Sequence, residues 1–176
     1  MRLLRTTGRG FAETRRMLAL LEQRQQMNVE TIEPAVRRIV KAVRQGGDRA
    51  LRTYATKFDN LSPQIELQIS REEMEKAWKG TPPSSQAALR VAAHNIRGFA
   101  DRQLPSDWTG SPMKGLSYGQ ILRPICSVGC YVPSGRHPLP STLLMTVVPA
   151  QVAGVPRIVV VSPNPARETL AAAHLL

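Results

Sequence analysis

Apolar residues in the first third of the chain recur at helical spacing. Over residues 11–26 a narrow apolar stripe runs among Arg, Gln and Glu residues, which predicts an exposed amphipathic helix. A second stripe follows Pro34 and predicts another helix, with apolar residues at i, i+3, i+4 and i+7: Val36, Ile39, Val40 and Val43. Gly46-Gly47 predicts the end of that helix, and Asp48 can cap a third helix that continues to about Phe58.

The middle of the chain contains both strand-like alternation and helical spacing of apolar residues. Over residues 65–69 apolar and polar positions alternate, which predicts a half-buried strand with one wet face. Ser70 followed by Glu73 is a capping box, and it predicts a short helix that ends near Lys79. Beyond Pro82-Pro83 a long helix is predicted, with this inner apolar stripe: Leu89, Ala92, Ala93, Ile96, Phe99 and Ala100.

The last third alternates strands and helices. A connection rich in Ser, Gly and Pro is predicted at residues 105–115, and strands are predicted on either side of Pro124, at 118–123 and 127–132. A loop then leads to a helix, a strand and a final helix, at residues 141–153, 157–161 and from 165 onward. Connection rules turn this β-α-β-α order into parallel strands. We therefore predict an α/β protein with a helix-rich α/β segment at 1–124 and the start of a parallel sheet at 125–176.

Composition points to a globular protein. The chain is 42% hydrophobic and 21% charged, and no run approaches the roughly 18 apolar residues that span a bilayer. The first residues carry charge without a sustained apolar region or a small-residue cleavage pattern, so no secretory signal is predicted. A cytoplasmic location without membrane contact is the expectation.

The net charge of +11 is the strongest anomaly in the composition. Basic residues are spread along predicted helices without a five-residue block, and only 5% of residues are aromatic, so nucleic-acid binding is not favoured. The excess also fits the basic part of a longer chain whose remainder is acidic. Two cysteines, Cys126 and Cys130, are too few for a disulfide framework or a zinc site and are predicted to be buried, reduced thiols.

The loop at residues 133–140 is the candidate for chemistry. In a doubly wound sheet, ligands lie beyond the carboxyl ends of the strands, where loops enter helices. Gly135 permits close backbone approach, and Ser141 or Thr142 can cap a helix whose first amides attract an anion such as a pyrophosphate. Tyr131, at the strand end, could stack on a flat ring. A rigid structural turn is the alternative, since a G-x-G-x-x-G motif is absent.

Residues 128–163, VGCYVPSGRHPLPSTLLMTVVPAQVAGVPRIVVVSP, resemble the signature region of histidinol dehydrogenases. The matching positions fall in register without a gap: Tyr131-Val132-Pro133, Pro140-Ser141-Thr142, Met145, Pro149-Ala150 and Ala153-Gly154. Upstream, VRRIVKAVRQGGDRALRTYATKFDN is similar to the early segment of the same family. The resemblance therefore runs from about Val36 to the last residue.

The resemblance implies oxidation of L-histidinol to L-histidine in two NAD-dependent hydride transfers, with zinc holding the substrate, in a homodimer. It implies that Tyr131 lies against NAD, and by neighbourhood that Pro133 and Gly135 also contact the cofactor. Residues 125–176 would open a Rossmann-like NAD-binding domain. Two departures from the family pattern are Ser134, where the family has glycine, and His137, which matches no family role and is predicted to face solvent.

No zinc ligand or catalytic residue is predicted within the chain, because the resemblance implies that the family's ligands and catalytic pair lie beyond Leu176. His94 and His174 are predicted to be ordinary helix-surface or packing residues. The chain is therefore expected to be the N-terminal part of a histidinol dehydrogenase. A related NAD-dependent dehydrogenase of another small polar alcohol, or an inactive basic binding module, remains the alternative.

Overall fold

The structure is a computed structural model that describes residues 7–62, 64–133 and 137–176. Its internal contacts separate two units, one ending at Ile65 and the other beginning at Glu66. The domain boundary predicted near Pro124 lies at a different position from this division, within the second unit, and it stays a prediction. Among the described residues, no helix combines the length and the apolar character that crossing a membrane requires.

The first unit is dominated by one helix. After a 3-10 turn at Gly8–Gly10, α1 runs over Phe11–Asp59 and passes through Pro34. The prediction of separate helices before and after residue 34 is wrong, because residues 27–33 contain neither glycine nor proline to end the first one. Asn60, in the left-handed conformation, ends α1 by donating its backbone N–H to the Ala55 carbonyl.

Two adjacent glycines produce the predicted break within α1. Gly47 has φ 55° and ψ −142°, a conformation that L side chains rarely adopt, so the helical path is interrupted there and resumes at Asp48. Gly46 is constrained by space instead, since a Cβ at this position would lie 2.9 Å from the Cβ of Ala50. The joint predicted from Gly46-Gly47 is confirmed, although the two segments form one kinked helix.

The second unit begins with the predicted capping box. The backbone N–H of Glu73 donates to Ser70 Oγ at 3.2 Å, and the Ser70 N–H donates to Glu73 Oε2 at 2.9 Å. Ser70 is the N-cap of α2, which runs over Arg71–Lys79. Hydrogen bonds from its own backbone and then from Ser70 lower the pKa of Glu72. The strand predicted at 65–69 is wrong, since these residues form bends and irregular backbone without a partner strand.

Replacing the cap should weaken this unit measurably. Ser70→Ala removes the acceptor for the Glu73 amide, and we expect the free energy of unfolding to fall by about 1 kcal/mol. Chemical denaturation followed by circular dichroism measures the change. Ser85→Ala, at an exposed position in the first turn of α3, is the matched control and should leave stability unchanged or slightly raised. Equal losses in both variants would contradict the capping role.

Helix α3, Pro83–Gln103, leads into an antiparallel hairpin of β1, Trp108–Met113, and β2, Leu116–Gln120. The connection predicted at 105–115 is therefore wrong, and the strand predicted at 118–123 is displaced toward the N-terminus. Gly119 permits the pairing, since a Cβ there would lie 2.3 Å from the Trp108 carbonyl oxygen. Across the hairpin the rings of Trp108 and Tyr118 meet edge to face, with centroids 5.7 Å apart.

The predicted β-α-β-α run is confirmed. Strand β3, Ser127–Tyr131, pairs in parallel with β4, Arg157–Val161, and these strands alternate with α4, Pro140–Val152, and α5, Arg167–Leu175. Residues from β3, from the position directly after it, and from α4 and α5 form the buried core: Cys130, Val132, Leu143, Leu144, Val147 and Ala172. The second unit is thus a helix-rich α/β arrangement with a two-stranded parallel sheet.

Helix α3 covers this core with most of its predicted stripe. Leu89 and Ile96 pack against the cluster and Ala100 is buried, whereas Phe99 is 64% exposed and was wrongly assigned to the inner face. The Gln151 side chain joins three helices, because Oε1 accepts from Arg97 of α3 at 2.5 Å and Nε2 donates to the Leu176 carbonyl at 2.9 Å. Cys130 is buried as predicted, but Cys126 is exposed, which corrects the prediction of two buried thiols.

Candidate cofactor-binding site

Strand β3 places Tyr131 at the carboxyl end of the parallel pair. Side chains alternate along a strand, so Cys130 and Val132 turn into the core and are 5% and 1% exposed, while Tyr131 points to the other face and is 62% exposed. The backbone N–H of Val132 donates to the Val161 carbonyl at 2.9 Å, which extends the pairing beyond β3. The backbone that carries the Tyr131 ring is therefore anchored on both sides of this residue.

The outer face beside Tyr131 is apolar and open. Register pairs Tyr131 with Val161 and Gly129 with Val159, and paired residues of parallel strands share a face. Val159 and Val161 are 42% and 56% exposed, and nothing lies within 4 Å of where a Gly129 Cβ would be. The ring, two valines and the bare glycine backbone form a surface suited to a flat, partly apolar group. Sequence reasoning missed Gly129 and Val161, whose only signal was their strand periodicity.

Helix α4 begins close in sequence to this face, after the loop. Its first residue is Pro140, and the N-cap is Leu139, which makes no side-chain capping hydrogen bond. The prediction that Ser141 or Thr142 caps the helix is wrong, because both lie in the first turn, where the Thr142 N–H donates to the Leu139 carbonyl at 3.1 Å. Pro140 has no N–H, so the Ser141 amide is the first donor at the positive end of the helix dipole.

The remaining predicted contacts lie in the loop between these elements. Pro133 is half-buried directly after Val132. Gly135, like Ser134, lies outside the described residues, so its predicted contact with the cofactor stays a prediction. His137 is exposed, as expected for a solvent-facing residue.

The histidines show no metal-binding arrangement. His94 is exposed on α3, and His174 is exposed on α5 with its ring centroid 6.0 Å from that of Trp78. In the part of the chain that the structure describes, no group of three or more His, Cys, Asp or Glu residues could hold a metal ion. The exposed face around Tyr131 and the first amides of α4 can instead offer binding of a flat ring and of an anion.

A family model for histidinol dehydrogenase matches residues 22–176. The chain belongs to the histidinol dehydrogenase family. Histidinol dehydrogenase of Methanothermobacter thermautotrophicus is 45% identical over 148 residues, which cover 84% of this chain and 34% of that protein. The Wolinella succinogenes enzyme is 36% identical over 181 residues, covering 99% of this chain and 42% of its relative. This chain therefore spans about a third to two fifths of these histidinol dehydrogenases.

A solved histidinol dehydrogenase has the same fold over most of the chain. The crystal structure of the enzyme from Elizabethkingia anophelis superimposes with a TM-score of 0.75 at 28% sequence identity, covering 82% of this chain and 34% of that one. The predicted family and the predicted incomplete α/β fold are thus confirmed. The family match includes β3, the loop and α4, so the face around Tyr131 lies within the histidinol dehydrogenase portion of the chain.

Proposed function

We propose that this chain contributes the opening of the NAD site of an enzyme that oxidises L-histidinol to L-histidine. The carrying observation is the outward position of Tyr131 at the end of β3, within the segment matched by the family. An exposed aromatic ring beside an open apolar face is unfavourable in water, and such a patch usually marks a surface that a ligand or another protein surface covers. The location also follows the rule that α/β sheets bind ligands beyond the carboxyl ends of their strands.

Residues from β3, from the loop and from the first turn of α4 would hold NAD. The Tyr131 ring offers an aromatic contact for one of the two heterocycles, and the bare Gly129 backbone leaves room beside it. The Ser141 amide, in the first turn of α4, offers a donor and a positive dipole end for the pyrophosphate. Pro133 and Gly135 keep their predicted neighbouring contacts. When bound, NAD supplies the hydride acceptor; these residues bind and orient it.

Zinc does not fit the residues that the structure describes. No set of ligands exists among the described residues, so we assign none of them to the metal that the family resemblance implies, and we derive no step through it. The homodimer, the cytoplasmic location and the start of an NAD-binding domain near Pro124 are likewise proposals. They rest on the family resemblance and on the change of composition along the chain.

Loss of the Tyr131 ring tests the cofactor proposal. Tyr131→Ala should raise the Kd for NAD by between about twofold and tenfold, which corresponds to the binding free energy of one aromatic contact. An NMR-monitored titration of the 176-residue chain with NAD measures this Kd even when binding is weak. Tyr131→Phe should bind NAD like the parent chain, because it keeps the ring.

The matched control is Tyr118→Ala, which removes another exposed strand tyrosine from the hairpin and should leave the Kd unchanged. An identical Kd for Tyr131→Ala and the parent chain would refute the assignment. The same titration of the parent chain serves as the primary test, and the absence of any NAD-dependent shift would overturn the proposal as a whole.

A further inference from the structure

The residues at the two ends of the loop between β3 and α4 pack into the same apolar core. Val132, the residue after β3, is 1% exposed and belongs to the buried cluster. Leu139, the residue before α4, is half-buried and packs against that cluster, which includes Leu143 one helical turn further on. Tyr131 and the first turn of α4 are therefore each adjacent to an anchored apolar side chain.

We propose that Leu139 is a positioning residue for the cofactor, whose packing fixes where the first amides of α4 lie relative to the Tyr131 ring. This inference rests on the proposed function. It assigns to Leu139 no contact with NAD. Its role is to hold two binding elements, one from β3 and one from α4, against one common core.

The identity of the N-cap supports this role. Helix N-caps favour Ser, Thr, Asp or Asn, and leucine is among the poorest residues there, at a cost of about 1 kcal/mol relative to a good cap. Leu139 has φ −119° and ψ 57° and provides no side-chain hydrogen bond to the helix. Packing is what this side chain contributes in place of a cap, through its contact with the core cluster. Because Leu139 packs against a cluster that also contains Leu143 of α4, the start of the helix is tied to the same core as its second turn.

The other flank is held by different means. Burial of Val132 and its hydrogen bond to the Val161 carbonyl, at 2.9 Å, fix the end of β3. The Tyr131 side thus depends on sheet pairing, whereas the α4 side depends on Leu139 and on the φ angle that Pro140 imposes. Preorganisation of two contact groups strengthens binding because their ordering cost is met before the ligand arrives.

Leu139→Ser separates positioning from stability. Serine is a good N-cap, so this variant supplies a polar cap while removing the apolar anchor. We expect the Kd for NAD to rise about tenfold in both Leu139→Ser and Leu139→Ala, with Leu139→Ser the more stable of the two. Leu139→Met, which keeps apolar contact with the core, should retain the affinity of the parent chain.

The matched control is Leu89→Ala, which makes the same truncation against the same core from α3. It should lower the melting temperature without changing the Kd for NAD, measured at a temperature where all variants are folded by circular dichroism. Equal increases in Kd for Leu89→Ala and Leu139→Ala, or affinity like the parent's in Leu139→Ser, would overturn the positioning role. If Tyr131→Ala weakens NAD binding while Leu139→Ser does not, only this inference fails; if the parent chain does not bind NAD, the proposed function fails with it.

Discussion

The 176-residue polypeptide is expected to form no NADH above background from L-histidinol, even with NAD and zinc supplied. The proposed reaction needs an alcohol held by a metal and a base to take its proton. The described residues include no group of three or more metal-ligating side chains, and the chain spans 34% of the Methanothermobacter thermautotrophicus relative. Binding of NAD and turnover are therefore separable in this chain, with binding expected and turnover not.

Absorbance at the wavelength of NADH measures this outcome directly. The full-length Methanothermobacter thermautotrophicus histidinol dehydrogenase, assayed in the same buffer, is the positive control. NADH formation by the 176-residue chain that disappears with a zinc chelator would contradict the prediction. It would mean that the chain holds a metal through residues that its described part does not bring together.

Truncating the centre of the core should have the largest effect on stability. Leu144 is 1% exposed and lies in the cluster between β3, α4 and α5. Leu144→Ala removes buried methyl groups and leaves a cavity, so we expect the free energy of unfolding to fall by about 2–5 kcal/mol. Urea denaturation, monitored by circular dichroism, gives the change.

The control for the core is Leu104→Ala, at a leucine that is 50% exposed after α3, where a loss well below that of Leu144→Ala is expected. A loss at Leu144 no larger than at Leu104 would show that the cluster does not hold the unit together. A change in the slope of the transition instead of its midpoint would indicate that the substitution altered the compactness of the denatured or native state, or that unfolding is not two-state.

Sequence alone predicted the elements whose signals are local. The Ser70–Glu73 box and the strand, loop and helix around Tyr131 each carry their own start and stop residues, so they were placed within a few residues. The strand predicted from the alternation at residues 65–69 does not form, because alternation shows which face of a strand would be buried and not whether a second strand is present to pair with it. Strand β1 was missed because its Gly, Ser and Pro content is that of a turn, while the cross-strand contact of Trp108 with Tyr118 is a property of the fold.

The candidate site was predicted in part for the same reason. Tyr131 could be found because it ends an apolar strand, but its neighbours Gly129 and Val161 depend on the register between β3 and β4. The capping residue was misplaced because Ser141 and Thr142 have the right chemistry for a cap, whereas the helix starts earlier, at Pro140. Leu139 packs against the core cluster at that start, and such packing is not visible in residue type alone.

The two glycines at the break in α1 differ in how damage to them could be repaired. Gly46 is limited by a neighbour, since the added carbon would meet the Ala50 methyl group at 2.9 Å. A harmful Gly46→Ala change therefore has a second-site suppressor available, Ala50→Gly. Gly47 is limited by its own backbone at φ 55°, with open space around it, so no substitution in a neighbour relieves the strain of a side chain there. A genetic screen for revertants should accordingly find compensating changes for the first glycine and only true reversion for the second.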